Sequence, residues 1–338
     1  MSTSRVLYEP IESVERMEYY QEGGYHPRVV HKLGHGTYST IWLARDEISN
    51  RYVAVKICTA DSDRFESDVL SQLSEPLKSS DIGTTMIPSI LDRFNVQGPN
   101  GNHACLVTSP ARMSLIEAKS ESWIGLFQID VARALAAQLA TVIRYMHSEG
   151  FVHGDLHRGN ILLQTQSNFD KLPTKELYDL YGEPELEPVN RLDGQTPPPG
   201  PTILLTFSSD IWTLACTIWD IVAQRSLFEG FLTNEDDMTC QQIAALGPLP
   251  AEWWEKWEAR GNHFTDDGEP NNRATSQYRS LEDAFELNIQ QPRDQAGMAP
   301  LELSERKALL AMLRPMLSFK PENRPSAQQV LESEWMVK

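Results

Sequence analysis

The chain is short of cysteine, and the four it has, Cys58, Cys105, Cys216 and Cys240, are widely spaced over 338 residues. No CxxC pair occurs, so neither a disulfide framework nor a structural zinc site is expected. Long apolar runs are missing too. No stretch reaches the roughly 18 residues of a membrane span, and the opening MSTSRVLYEPIESVERMEYYQ is polar and acidic, without the apolar core of a signal peptide. The expectation is an intracellular protein, cytoplasmic or nuclear, with no membrane contact. Positive charge is also scarce: 30 Lys and Arg stand against 47 Asp and Glu, a net charge of -17. Nucleic-acid binding is excluded as a function class, because phosphate recognition needs a basic face. The acidity suits a basic partner such as an Arg-rich peptide, or serves solubility alone. What is present is ordinary for a folded protein, 41% hydrophobic and 23% charged, and the length suits two packed lobes.

Residues 1–27 read as an acidic arm ending in GGYHP, where Gly23, Gly24 and Pro27 break any regular element. The following VVHKLGHGTYSTIWLARDEISNRYVAVKIC has β-branched and aromatic runs separated by turn signals, the pattern of three antiparallel strands. Residues 63–73 have helical spacing at Phe65, Val69, Leu70 and Leu73, and 103–107 form a short strand. From Gln128 to His147 a long helix is predicted with a buried stripe of Ile129, Ala132, Leu135, Ala136, Leu139, Val142, Ile143 and Met146. Further helices are predicted from near Ser209, through ERKALLAMLRPML, and through SAQQVLESEW after Pro325. Strands first and helices later make an α+β chain: a sheet-rich lobe over 28–108 and a larger, mostly helical lobe over 109–338.

Two stretches read as inserts. Residues 165–201 hold seven prolines and seven acidic residues against three basic ones, and are expected to be an exposed, poorly ordered loop. Residues 232–295 are polar apart from an AEWWEKWEARG helix, whose Trp253, Trp254 and Trp257 are read as packing groups.

Leu33-Gly34-His35-Gly36-Thr37-Tyr38-Ser39-Thr40-Ile41 is a glycine-rich loop between two strands. Such glycines let backbone N–H groups approach phosphate oxygens, though an ordinary hairpin has the same look. Lys56 follows in Val53-Ala54-Val55-Lys56. A lysine inside an apolar strand needs a partner, and Glu66 on the next helix is the natural one. His153-Gly154-Asp155-Leu156-His157-Arg158-Gly159-Asn160 then precedes an apolar strand. An Asp and an Asn five residues apart after a long helix match a phosphotransferase loop, in which the Asp receives the proton of the attacking hydroxyl and the Asn holds Mg²⁺.

Ser209-Asp210-Ile211-Trp212-Thr213-Leu214-Ala215 and Asn323-Arg324-Pro325-Ser326 complete the pattern. Together with GGYHP, LGHGTYSTIWLARD, VAVKI, NILL and LFEGF, these motifs resemble the protein kinase superfamily, and within it the SR-protein kinases of fungal type, over nearly the whole chain. The resemblance implies a two-lobed, monomeric kinase that transfers the ATP γ-phosphate to Ser or Thr of Arg/Ser-rich proteins. It implies ATP contacts from Leu33, Gly34, His35, Gly36, Thr37, Tyr38, Ser39, Ile41, Ala54 and Lys56, with the adenine hinge between Thr108 and Ala111. Asp155 would be the proton acceptor, Lys56 and Glu66 would position phosphates, and Asn160 would hold Mg²⁺. His153, Asp210 and Arg324 would be structural.

The chain also departs from that family. GGYHP runs directly into the first strand, where the family has about ten more residues. His157 stands where most serine/threonine kinases have a lysine that touches the transferred phosphate. Above all, Ile203-Leu204-Leu205-Thr206 runs straight into Phe207-Ser208-Ser209-Asp210. The Asp-Phe-Gly, the activation loop and the Pro-Glu pair that belong between them are absent, and with them the second Mg²⁺ ligand. Block losses flanked by intact family sequence are what exon skipping or a misdrawn gene model leaves. Asp179 in Asp179-Leu180-Tyr181-Gly182 is a poor substitute, since it precedes the strand it should follow. Arg324, whose family counterpart pairs with the missing Glu, is expected to lack its partner. The sequence therefore reads as a catalytically impaired kinase with a weakened Mg²⁺ site. The alternatives are a pseudokinase scaffold and, because HGDLHRGN also resembles the aminoglycoside and choline kinase loop, a small-molecule phosphotransferase.

Overall fold

The computed structural model describes residues 28–35, 39–60, 65–74, 81–98, 101–165, 169–173, 175–177, 206–229, 233–265, 271 and 279–338. These fall into two compact units, each assembled from several stretches of chain. The sheet unit takes in 162–177 from beyond the expected boundary at 108, and the helical unit takes 81–86 from before it.

The sheet unit is a five-stranded antiparallel sheet of β1 (Arg28–His35), β2 (Ser39–Asp46), β3 (Arg51–Cys58), β4 (Ile90–Gly98) and β5 (Gly101–Thr108), in the order β1-β2-β3-β5-β4. The β2–β3 turn is made locally. Asp46 Oδ1 accepts from the N–H groups of Ile48 and Ser49 at 3.0 and 3.1 Å, and Asn50 takes φ +51°, a left-handed conformation that Asn tolerates. Side chains alternate along β3, so Val53, Val55 and Ile57 face one way. They pack with Ala44, Cys105, Val107, Leu91, Phe94 and Val96. Helix α1 (Phe65–Ser74) follows β3. The short strands β6 (Ala111–Ser114) and β7 (Leu162–Gln164) form a separate pair.

The first part of the 165–201 stretch is not an exposed loop. Phe169 and Leu177 pack on Val30, Leu43 and Tyr52 at the opposite face of the sheet, and Leu177 is only 3% exposed. Tyr52 donates its N–H to Asp170 Oδ1 at 2.8 Å and its hydroxyl to the Leu172 carbonyl at 2.9 Å. The β3–β5 ladder begins only at Ala54, so the Asp170 carboxylate supplies an acceptor where the neighbouring strand has ended. The remainder, 178–201, lies outside the described residues.

The helical unit is built around α3 (Ile129–Ser148) and α4 (Phe207–Val222). The stripe expected on α3 is buried at Ala132, Ala136, Leu139, Ile143 and Met146. Helix α4 is buried almost all round, as a central helix must be. The 232–295 stretch is mostly regular structure with buried faces, contrary to its polar composition. Helix α5 (Glu235–Leu246) buries Cys240 and Ile243 against Phe264, Trp254 and Trp257. The AEWWEKWEARG segment is two short helices, Ala251–Trp254 and Arg260–His263, rather than one. The run 281–295 has a π-helical middle turn at Glu286–Gln290. Pro292 has no N–H to give the Asn288 carbonyl, which instead accepts from Gln224 N at 2.7 Å. Helix α6 (Leu303–Met316) follows, and SAQQVLESEW is also broken into two pieces, Ala327–Leu331 and Glu334–Val337. No helix among the described residues is long and apolar enough to cross a membrane.

Candidate active site

Lys56 lies on the same face of β3 as Tyr52 and Ala54. Directly across the ladders from it stand Ile41 on β2 and Leu106 on β5, while Ala54 is opposite Thr108 and Ile41 is opposite Gly34. The register thus gathers Gly34, Ile41, Ala54, Lys56 and Thr108 on one face, where cross-strand neighbours sit about 5 Å apart. Leu106, buried beside Lys56, belongs with them and had no motif to announce it. Leu33 is exposed on β1, His35 closes that strand, Ser39 opens β2, and Ala111 opens β6. Gly36, Thr37 and Tyr38 lie outside the described residues. A Cβ added at Gly34 would meet nothing within 4 Å, so its backbone has the open approach that a phosphate requires. Lys56 Nζ is 2.6 and 2.5 Å from the two carboxylate oxygens of Glu66 in the first turn of α1. That contact answers the problem of a cation in an apolar strand.

In the helical unit the loop 151–161 lies on α4. Asp210, 1% exposed, accepts from His153 N at 2.7 Å and Gly154 N at 2.9 Å, while His147 Nε2 lies 2.9 Å from its Oδ2. Gly154 takes φ +77°, which a residue without a Cβ adopts freely. Burial pushes the Asp210 carboxyl up, but hydrogen bonds from His147, Gly154 and His153 outweigh it and hold the group below its ordinary value. Burial draws the His153 imidazole down, partly offset by Asp210 and Asp155. His153 Nδ1 accepts from Asp155 N at 3.3 Å.

Asp155 is 79% exposed, which leaves its carboxylate open to solvent. Asn160 Nδ2 donates to its Oδ2 at 2.9 Å and to its backbone carbonyl at 2.8 Å. The amide and the carboxylate are thereby set side by side. His157 Nδ1 accepts from Gly159 N at 3.0 Å, which leaves the neutral ring's proton on Nε2, 3.8 Å from Asp155 Oδ1. For Mg²⁺, which prefers oxygen ligands in near-octahedral array, these residues offer one amide oxygen and one carboxylate. Among the described residues no group of three or more His, Cys, Asp or Glu is placed to hold a metal. Two protein oxygens alone hold such a cation weakly.

Where the activation segment would be expected, α4 begins at once. Thr206 is its N-cap, with Oγ1 accepting from Ser209 N at 3.3 Å and the Ser209 hydroxyl facing Thr206 N at 2.9 Å. Phe207, its first residue, lies against His147 with ring centroids 4.6 Å apart. The expectation that Arg324 is left unpartnered is corrected by the geometry. It donates to the carbonyls of Ser318 at 2.8 Å, Ser208 at 2.8 Å and Phe319 at 3.2 Å, and its guanidinium lies 4.9 Å from the Trp212 ring centroid. A rigid fork of donors satisfies three backbone acceptors where a carboxylate is lacking. Ile203, Leu204, Leu205 and Asp179 lie outside the described residues.

A further group lies under the loop that no motif announced. Arg158 Nε is 3.2 Å from Asp220 Oδ2 on α4, and Lys119, 5% exposed on α2 (Leu115–Ser120), donates to the carbonyls of Asp220 and Ala223. Burial pushes Lys119 down to about 8 and raises Asp220. A carboxylate in the apolar TIWDIVA run was the one available signal, since a buried charge demands a partner.

A protein kinase domain model matches residues 28–179. A serine/threonine protein kinase of Aspergillus fumigatus is 26% identical over 373 aligned residues, covering 96% of this chain and 90% of the relative. The serine/threonine-protein kinase SRPK of Physarum polycephalum is 24% identical over 399 residues, covering 96% and 91%. Both aligned spans exceed the chain's own 338 residues, so both contain gaps on its side. The kinase SKY1 of Saccharomyces cerevisiae is 31% identical over 173 residues, covering 44% of this chain and 23% of the relative. From its sheet, its loop on Asp210 and these relatives, the chain belongs to the protein kinase superfamily as a serine/threonine kinase of the SR-protein-kinase type.

Proposed function

We propose that this kinase binds ATP through its sheet unit but transfers phosphate to Arg/Ser-rich proteins poorly. The observation that carries the reading is the capping box of Thr206 and Ser209, which starts α4 directly and leaves no residues between Thr206 and Asp210 for the family's second metal-binding carboxylate or substrate platform. Kinases of this family use ATP with Mg²⁺, which neutralises charge on the transferring phosphoryl group. In this chain Lys56, held by Glu66, would grip phosphate oxygens, and Asn160 would offer its amide oxygen to the metal. Asp155, exposed and oriented by Asn160, would receive the proton of the attacking hydroxyl. The net charge of -17 supports a basic protein partner.

Phosphoryl transfer is mostly positioning and electrostatics, and one lost preorganised group typically lowers the rate by about 10²–10³. The absent carboxylate and the absent platform act on different parts of the barrier, so their effects compound. A scaffold role is the second reading, supported by the assembled Lys56–Glu66 pair and Asp155–Asn160 loop, which hold their arrangement without the platform. The test is phosphorylation of an Arg/Ser peptide. The purified chain is expected to be no faster than its Asp155→Ala variant. Grafting a family Asp-Phe-Gly to Pro-Glu segment between Thr206 and Phe207 restores activity, and Asp155→Ala removes it again. Robust Asp155-dependent transfer by the unmodified chain overturns the proposal.

A further inference from the structure

Three polar side chains of α4 meet the loop in sequence order. Asp210 takes the N–H groups of His153 and Gly154, Thr217 Oγ1 lies 3.5 Å from the Leu156 carbonyl, and Asp220 takes Arg158. Spacings of seven and three residues put them on one helical stripe. From 210 to 220 the helix rises about 15 Å at 1.5 Å per residue. The five residue steps from 153 to 158 span at most about 17 Å when extended. The loop is therefore pinned at both ends of that stripe, at its backbone by Asp210 and through the Arg158 side chain by Asp220.

We propose that Asp220, braced by Lys119, is a positioning residue for phosphoryl transfer that acts through Arg158 to hold Asn160 against Asp155. The route is short. Arg158 opens the 3-10 turn Arg158–Asn160, in which Gly159 N donates to His157 Nδ1 and Asn160 N donates to the His157 carbonyl at 2.9 Å. Asn160 then donates to Asp155. A Cβ at Gly159 would lie 2.8 Å from His157 Cε1, so a larger residue there would push aside the ring that accepts from Gly159 N. Lys119 fixes the other end of the lever. It satisfies two carbonyls at the C-terminus of α4 that have no helical partner, while α2 is tied to the loop exit by Leu115 N to the Ile161 carbonyl at 2.9 Å. A half-buried group of two cations and one carboxylate is a poor source of stability, since an apolar trio would avoid the desolvation penalty. What the charges provide is a directed hold on one turn.

The proposal rests on the roles given to Asp155 and Asn160, so its test reads geometry and needs no turnover. Failure of the catalytic reading would leave the result below intact. Four amides report separately on the two anchors: His153 and Gly154 at Asp210, Gly159 and Asn160 at the Arg158 turn. Hydrogen exchange is measured by NMR on the full chain for wild type, Arg158→Met, Asp220→Asn and Arg158→Lys. In the first two variants exchange at Gly159 and Asn160 is expected to rise at least tenfold, about 1.4 kcal/mol of local opening, while His153 and Gly154 change less than about twofold. The ¹⁵N shifts of the His157 ring move from the Nε2-protonated form toward mixed tautomers, and Arg158→Lys retains most of the protection. If Asp220→Asn does not fold, Arg158→Met decides alone. Unchanged exchange at Gly159 and Asn160, or equal acceleration at all four amides, overturns the proposal.

Discussion

Asp210 joins α3, α4 and the catalytic loop through one carboxylate that accepts two backbone N–H groups and faces His147. Hydrogen bonds to a charged acceptor contribute about 1.5–3 kcal/mol each way they are disturbed. Asparagine keeps the shape but turns an N–H donor toward donors, so Asp210→Asn is expected to lower stability by about 3 kcal/mol near neutral pH. The folded-state pKa lies below the ordinary 3.8. Its contribution is therefore fully present above pH 3.8 and is lost as pH falls through the lower folded value. Denaturant unfolding of both proteins between pH 7 and pH 3 should show their difference shrinking only below about pH 4, the ordinary carboxylate range. A difference that stays constant across the range would sink the assignment. Arg324 illustrates the opposite adaptation. The family motif made its position legible, but only the fold shows the Ser318, Ser208 and Phe319 carbonyls that replace a carboxylate.

Among the elements, β1 to β3, α3 and α4 were legible because their apolar residues repeat at the strand or helix period over whole elements. The 169–177 segment was not. Phe169 and Leu177 are isolated among polar residues and proline, and their packing depends on a sheet face formed by chain more than a hundred residues earlier. Strand β4 was hidden in the same way, since ILDRFNVQG mixes charge into its alternation and is ordered by pairing with β5. The loop 153–160 was legible as a motif. Its brace on Asp220 and Lys119 was not, because each partner comes from a different helix. The covered sheet face makes a prediction. Leu177 is fully packed on Val30, Leu43 and Tyr52, so Leu177→Ala should cost about 2–4 kcal/mol, as core truncations do. Tyr52 lies near the start of β3, which carries Lys56 on the same face, so the loss should appear as faster hydrogen exchange along β3. A variant with an unchanged unfolding midpoint would show that the segment only rests on the sheet.

For the molecule as a whole, the two units are unequally equipped for nucleotide and for metal. The sheet unit presents an open Gly34 backbone and a neutralised but available Lys56, all on one face with Ile41, Ala54 and Thr108. In the function proposed, those groups would contact base and phosphates directly and need no cation. The helical unit offers Mg²⁺ only Asn160 and Asp155, and Asn160 is already engaged with Asp155 through its amide nitrogen. A small, strongly hydrated ion that demands octahedral geometry gains little from two protein oxygens. ATP should therefore bind weakly, and Mg²⁺ should change its affinity by less than about threefold, roughly 0.65 kcal/mol. Thermal-shift titration of ATP with Mg²⁺ and with a chelator measures that ratio directly. The grafted segment supplies the internal contrast: with a bridging carboxylate restored, the same titration should gain a Mg²⁺ dependence of tenfold or more. Tight binding by the unmodified chain with a comparable Mg²⁺ dependence would mean that another carboxylate completes the site, and would direct attention to Asp179.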